Sequence, residues 1–205
     1  LLEVQRGTVR TKPIKGTCAR TGDEMVDVVS RESLLSSEKE MGELARVTEA
    51  SVGELSEICV PGTVSVDSFF KCEGYSTVFH TVSEVTGKLR EDVTPMDAFQ
   101  SVFPGCSVTG VPKHDAMEII DEFETSARGV YTGSVGYVSG DSCCMNVAIR
   151  TIVFNGSEYR FGVGGGITSD SVPEREYEET VQKSLALLNA LGGPAGDGTD
   201  SERRL

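Results

Sequence analysis

The sequence predicts an α+β fold, with layered antiparallel sheets and helices packed on them. Three observations carry this. Short stretches of strand character come in adjacent pairs, helical stretches are interspersed among them rather than alternating strictly, and proline–glycine punctuation separates the two kinds. A strict strand–helix alternation, which would signal a doubly wound parallel sheet, is missing.

In chain order, Val4 to Thr11 reads as one strand. Residues 31–51 are rich in Glu, Leu, Met and Ala and read as a helix with Ser30 as a cap. Pro61-Gly62 marks a turn, and Thr63 to Phe70 and Ser76 to Thr86 read as strands. Thr94-Pro95 opens a short helix with proline in its first turn, and Pro104-Gly105 stops it. A helix follows over 113–124, then strands at 133–138, 145–154 and 158–163, and a last helix from Pro173 to Leu191 near Ser171. Residues 1–192 read as one domain, and 193–205 as a polar, glycine-rich, disordered tail.

Composition narrows the function. The 205 residues carry a net charge of −13, which argues against nucleic acid or anionic membranes as partners. It is also awkward for an anionic substrate unless a metal or local basic groups offset it. The six cysteines include no CxxC pair and no regular spacing, so a reducing compartment and no zinc site are expected. No signal peptide or membrane span is legible, and the cytoplasm is the expected location, with a plastid as the alternative in a photosynthetic eukaryote. The opening Leu-Leu-Glu, without methionine, reads as part of a longer protein.

Three stretches carry candidate chemistry. In Pro13-Ile14-Lys15-Gly16-Thr17, proline fixes one backbone angle and glycine frees another, which predicts Lys15 on a rigid turn. Such a lysine is either a solvated charge or a reactive amine. On the last helix, Tyr177, Val181, Leu185, Leu188 and Leu191 predict an apolar stripe. Glu176, Glu179 and Lys183 share a different face, either as solvated charges or as carboxylates for a hard cation such as Mg²⁺. Upstream, Gly164-Gly165-Gly166 is either a plain turn or a run of backbone N–H groups open to an anion.

Further motifs bring in a family. They are Pro-Ile-Lys-Gly-Thr at 13–17, Tyr-Ser-x-Val-x-His at 75–80, Phe-Pro-Gly-x-Ser-Val-Thr-Gly-Val-Pro-Lys at 103–113, Ala-Met-Glu-Ile-Ile-Asp-Glu at 116–122, Gly-Ser-Val-Gly-Tyr at 133–137, Ala-Ile-Arg-Thr at 148–151, Gly-Gly-Gly-Ile at 164–167 and Glu-Tyr-Glu-Glu-Thr at 176–180. In this order they resemble the C-terminal half of the chorismate-utilising enzymes, which include anthranilate synthase and aminodeoxychorismate synthase. The resemblance runs from about Val9 to Leu191.

What the resemblance implies can be stated position by position. Glu43, Glu176 and Glu179 match glutamates that hold Mg²⁺, and the metal grips a substrate carboxylate. Tyr137, Arg150 and Lys183 match carboxylate contacts, Gly164, Gly165 and Gly166 supply backbone donors, and Thr17 lies in the same pocket. His80 matches a histidine near the ring and leaving group. Lys113 matches a lysine that either binds substrate or braces its loop. Lys15 separates the branches, because anthranilate synthases usually carry alanine there whereas aminodeoxychorismate and isochorismate synthases carry lysine, and Gly110-Val111-Pro112-Lys113 argues against the isochorismate branch. In the aminodeoxychorismate branch the lysine is a nucleophile that attacks C2 of the ring, after which ammonia adds at C4. Lys15, the middle glycine at Gly165, and Ser134 favour aminodeoxychorismate synthase component I, with anthranilate synthase component I as the alternative. No cysteine sits in a glutaminase elbow, so a separate or fused glutamine amidotransferase is the expected ammonia source.

Three departures point to a rival, a non-catalytic remnant of the fold. Val52-Gly53-Glu54-Leu55 stands where the family usually has Arg-Asn-Asp-Leu, and Cys143-Cys144 where it has Met-Asp. The family's general-acid glutamate aligns before Leu1, which implies that the 205 residues alone are inactive.

Overall fold

The computed structural model describes residues 1–169 and 171–192. In chain order its elements are β1 (Leu2–Gln5), β2 (Thr8–Thr11), β3 (Ile14–Ala19), α1 (Glu24–Leu35), α2 (Glu38–Ile58), β4 (Ser65–Gly74), β5 (Val78–Lys88), α3 (Pro95–Val102), α4 (Lys113–Phe123), β6 (Ser134–Ser139), β7 (Ser142–Val147), β8 (Val153–Phe154), β9 (Tyr159–Arg160) and α5 (Pro173–Ala190). Every strand pairing among them is antiparallel, and the α+β class stands. Contacts divide the chain into two compact units. The first holds Leu1–Glu124 and Ser134–Val147, the second Thr125–Gly133 and Ala148 onward.

The first unit is built on β5. β4 runs along one edge of it, and β2 and β3 lie end to end along the other, where Thr11 meets Val85 and Ile14 meets Val82. Between them Pro13 has no N–H to give, and Ser83 N–H donates to its carbonyl at 3.0 Å. From β2 the sheet continues through β1 and β7 to β6. Helices α2 and α3 cover it, and Val4, Val9, Leu55, Val85, Ala98 and Cys143 form the centre of the core. The helix starts are chemically marked. Asp23 caps α1, Ser37 Oγ accepts from Glu40 N–H at the start of α2, and Thr94 and Asp97 form a capping box on α3.

Several sequence expectations are corrected here. The strand over Val4 to Thr11 is a hairpin, because Arg6 and Gly7 both take positive φ (51° and 73°) and turn the chain in two residues. The helix over 31–51 is two helices. Ser30 lies inside α1, and Ser36-Ser37 end one helix and cap the next. Lys15 is on a strand, not a turn, since Pro13 interrupts the ladder without reversing it. The strand over 145–154 is split, because the chain leaves β7 after Val147 and pairs again only at Val153. The tail at 193–205 lies outside the described residues.

The second unit contains the β8–β9 hairpin, where Phe154 and Tyr159 stack at 4.7 Å, and α5. α5 is turned differently from the predicted stripe. Its buried residues are Glu176 and Leu187, while Tyr177, Leu188 and Leu191 are exposed. The polar face is the one with partners inside the unit, described next. Among the described residues no helix is long and apolar enough to cross a membrane.

Candidate functional site

In the first unit a bulge sets the geometry. Register slips between Lys15 and Thr17, so that Lys15 lies opposite Thr81 and Thr17 opposite His80. The extra residue is Gly16, at φ 57°, where a Cβ would come within 2.6 Å of Thr81 Oγ1. Two residues apart on a regular strand, Lys15 and Thr17 would share a face. Here they diverge. Lys15 Nζ lies 3.6 Å from Glu43 Oε2 on α2, and Thr17 Oγ1 is hydrogen-bonded to His80 Nδ1 at 2.8 Å. Thr81 Oγ1 donates to the Lys15 carbonyl at 2.6 Å and pins the bulge.

Beside this strand is a cavity of about 440 Å³, lined by Thr17, Ser30, Ser33, Ser37 and Glu40 among others. Glu40 was missed in the sequence. Its signal was available, since Glu40 and Glu43 repeat on α2 the spacing of Glu176 and Glu179 on α5, three residues apart.

Lys113 braces its loop. Its Nζ donates to the Val102 carbonyl at 3.2 Å and pairs with Glu54 Oε1 at 2.7 Å, which ties the start of α4 to the end of α3 and to α2. Burial pushes the Glu54 carboxyl up, and the bond from Lys113 acts against it. The departure at Val52–Leu55 therefore still places a carboxylate, Glu54, against Lys113. The nearby Cys106 thiol is pushed up to about 11 by burial. Cys143 sits in the core at 1 % exposure, which accounts for a small apolar residue there. All six thiols are free. Tyr137 lies exposed on the edge strand β6, opposite Cys144.

The second unit gathers the remaining candidates. Lys183 Nζ pairs with Glu179 Oε1 at 2.6 Å and donates to the Gly164 carbonyl at 3.1 Å, and Arg150 Nη1 donates to the Lys183 carbonyl at 2.6 Å. Arg150 itself is held at φ 52°. Glu176 Oε1 accepts from Ser171 Oγ at 2.7 Å, and its Oε2 would lie 3.2 Å from a Cβ at Gly165. Gly165 thus leaves the room in which the carboxylate sits. A cavity of about 320 Å³ opens among Gly165, Ser171, Glu176 and Thr180. Ser171 is no cap, since Val172 precedes the helix without a side-chain bond, but it orients Glu176.

The comparisons with known proteins agree with one another. The family model described as "chorismate binding enzyme" matches residues 1–189. The chain belongs to the chorismate-binding enzyme family. Its relatives include anthranilate synthase component 1 of Aquifex aeolicus, 41 % identical over 93 % of this chain and 39 % of that protein. The same-named protein of Acetivibrio thermocellus is 43 % identical, again over 93 % and 39 %. Among solved structures, anthranilate synthase component I of Streptococcus pneumoniae superposes with a TM-score of 0.82 at 33 % identity, over 91 % of this chain and 41 % of that one. The menaquinone-specific isochorismate synthase of Escherichia coli gives 0.83 at 25 % identity, over 93 % and 44 %. The chain therefore spans about two-fifths of the length of the curated relatives it matches.

A resident Mg²⁺ fits the donor chemistry in part. In the second unit Glu176 presents a largely buried carboxylate and Glu179 offers further hard oxygens beside Lys183, while Glu43 stands beside Lys15 in the first unit. Within neither unit, among the described residues, do three or more His, Cys, Asp or Glu side chains gather as a metal cluster.

Proposed function

We propose that this chain is the part of a chorismate-aminating synthase that carries the histidine and the carboxylate-binding groups, with anthranilate as the product. The two curated relatives named above, of Aquifex aeolicus and Acetivibrio thermocellus, bear the name of the branch that the sequence places second. The observation that carries the choice is the contact of Lys15 with Glu43. It gives the lysine a structural role as the partner of a carboxylate, which the anthranilate reading needs and attack on the ring does not use.

In this reading Arg150, Lys183 and the Gly164–Gly166 backbone take a substrate carboxylate, and the hydrogen bonds within the second unit hold them ready for it. His80, held by Thr17, stands by the ring where the hydroxyl departs as ammonia adds at C2. Mg²⁺, with Glu176 and Glu179 of the second unit among its donors, would neutralise a carboxylate of the substrate. A glutamine amidotransferase supplies the ammonia, in keeping with the word "component" in the relatives' names.

The second reading is aminodeoxychorismate synthase component I, of the folate and p-aminobenzoate route, with Lys15 as nucleophile. Lysine in Pro-Ile-Lys-Gly-Thr and the unsubstituted Gly165 favour it. The complete polypeptide, given chorismate, Mg²⁺ and ammonium, separates the two. Anthranilate from wild type, with Lys15→Ala retaining turnover, is the expected result. 4-Amino-4-deoxychorismate that vanishes in Lys15→Ala would establish the second reading and overturn the first. No aminated product from either protein would leave the non-catalytic rival.

A further inference from the structure

Glu73 is the carboxylate best placed to claim His80, and the structure holds it away. The two residues lie directly opposite each other on β4 and β5, where cross-strand side chains interact. Yet Glu73 Oε1 accepts from Lys12 Nζ at 2.9 Å. Its Oε2 accepts from the same ammonium at 3.2 Å and from the Tyr75 hydroxyl at 3.3 Å. The bond from Lys12 holds the Glu73 carboxyl below its ordinary range. Lys12 is fixed in its turn, 3.9 Å from Glu84 Oε2, while Arg10 donates to Glu84 Oε1 at 3.2 Å and to Glu3 at 2.7 Å. A ribbon of alternating charge thus crosses β1, β2, β5 and β4 and ends beside the imidazole.

Tyr75 closes the arrangement. Its ring meets that of His80 edge-on, 5.4 Å between centroids at 62°. Arg20 donates from its guanidinium to the Tyr75 carbonyl and from its backbone N–H to the Thr77 carbonyl, both at 2.8 Å, so the turn that carries Tyr75 is tied down. The imidazole keeps a neutral partner, Thr17, on Nδ1.

We infer that Lys12 and Tyr75 are positioning residues for His80, acting by holding Glu73 away from it. They keep a carboxylate off the ring, leave Nδ1 to Thr17 and present Nε2 to the ligand. The inference rests on the reading of His80 as a catalytic residue, and its physical part can be tested without turnover. The chain has two histidines, and His114, exposed on α4, serves as the internal reference. Ring ¹⁵N–¹H correlation spectra at pH 7 report tautomer and charge.

In Lys12→Met, Glu73 is released toward the ring it faces, and the His80 ring signals are expected to shift while those of His114 stay in place. Lys12→Met combined with Glu73→Gln should restore the wild-type pattern. Tyr75→Phe, a milder change that keeps the ring, should move His80 in the same direction by less. His80 signals in Lys12→Met and Tyr75→Phe that coincide with wild type overturn the inference. In the complete polypeptide, Lys12→Met should lower kcat for chorismate amination about tenfold with little change in KM, short of the roughly 10²–10⁴ that a positioned acid or base contributes. Ring signals that move while turnover holds would keep the positioning role and reject the catalytic reading of His80.

Discussion

At the scale of single residues, Gly16 decides what its neighbours can do. A side chain there meets both a left-handed backbone and Thr81. Gly16→Ala should therefore destabilise the chain by about 2–3 kcal/mol, read as a lower urea midpoint. A midpoint within experimental scatter of wild type would mean that the bulge relaxes freely. Most single candidates were legible as motif members, because a motif names residue types whatever their partners. Partnership was not legible. Nothing in Pro-Ile-Lys-Gly-Thr says that Lys15 turns to α2 while Thr17 turns to β5, since that follows from one slipped register. Glu73 and Tyr75 stayed hidden for the same reason, as their roles come from a strand pairing and from Lys12 some sixty residues away.

Among the elements, the α3–α4 connection hangs on one ion pair. Lys113→Ala removes the partner of a Glu54 side chain that is only 19 % exposed, and should cost about 2–3 kcal/mol at pH 7. The pH dependence has a definite sign. The folded-state value of Glu54 is raised above its ordinary 4.5, so its contribution is fully present below that and is lost as pH rises through the folded value. Losing Lys113 raises that value further, and the deficit against wild type should shrink as pH falls from 7 to 4.5. Urea midpoints at the two pH values check this, and a deficit that grows toward pH 4.5 would contradict it. Helix α3 could be read from the sequence to within a residue, because Thr94, Pro95 and Asp97 mark its start locally. The α1–α2 break could not. Ser36-Ser37 is a weak breaker, and both flanks are good helix formers. The orientation of α5 was misread because its polar face, not its apolar stripe, finds partners on the glycine run and at Ser171.

For the molecule as a whole, the two units differ in how much they bury. Among the described residues, the buried hydrophobic ones of the second unit are Ala148 and Leu187, and the others, from Leu2 to Cys143, belong to the first. Amide hydrogen exchange should therefore be slowest in β5, around Thr81, Val82 and Val85, and clearly faster throughout α5. Protection in α5 equal to that in β5 would show the units opening as one. The central place of β5 also bears on how the chain is made. Thr8 pairs with Lys88 and Ala19 with Val78, contacts that close loops of about 60 to 80 residues. During synthesis β2 and β3 leave the ribosome long before their partner strand exists, whereas β4 and β5 can zip into a hairpin as soon as both emerge. Until the earlier segment returns to it, the β5 edge of that hairpin stays unpaired, with Val82 and Val85 uncovered. A nascent chain stalled just beyond Lys88 is thus the species that most needs a chaperone, and slower translation past that point gives the first nineteen residues time to come home.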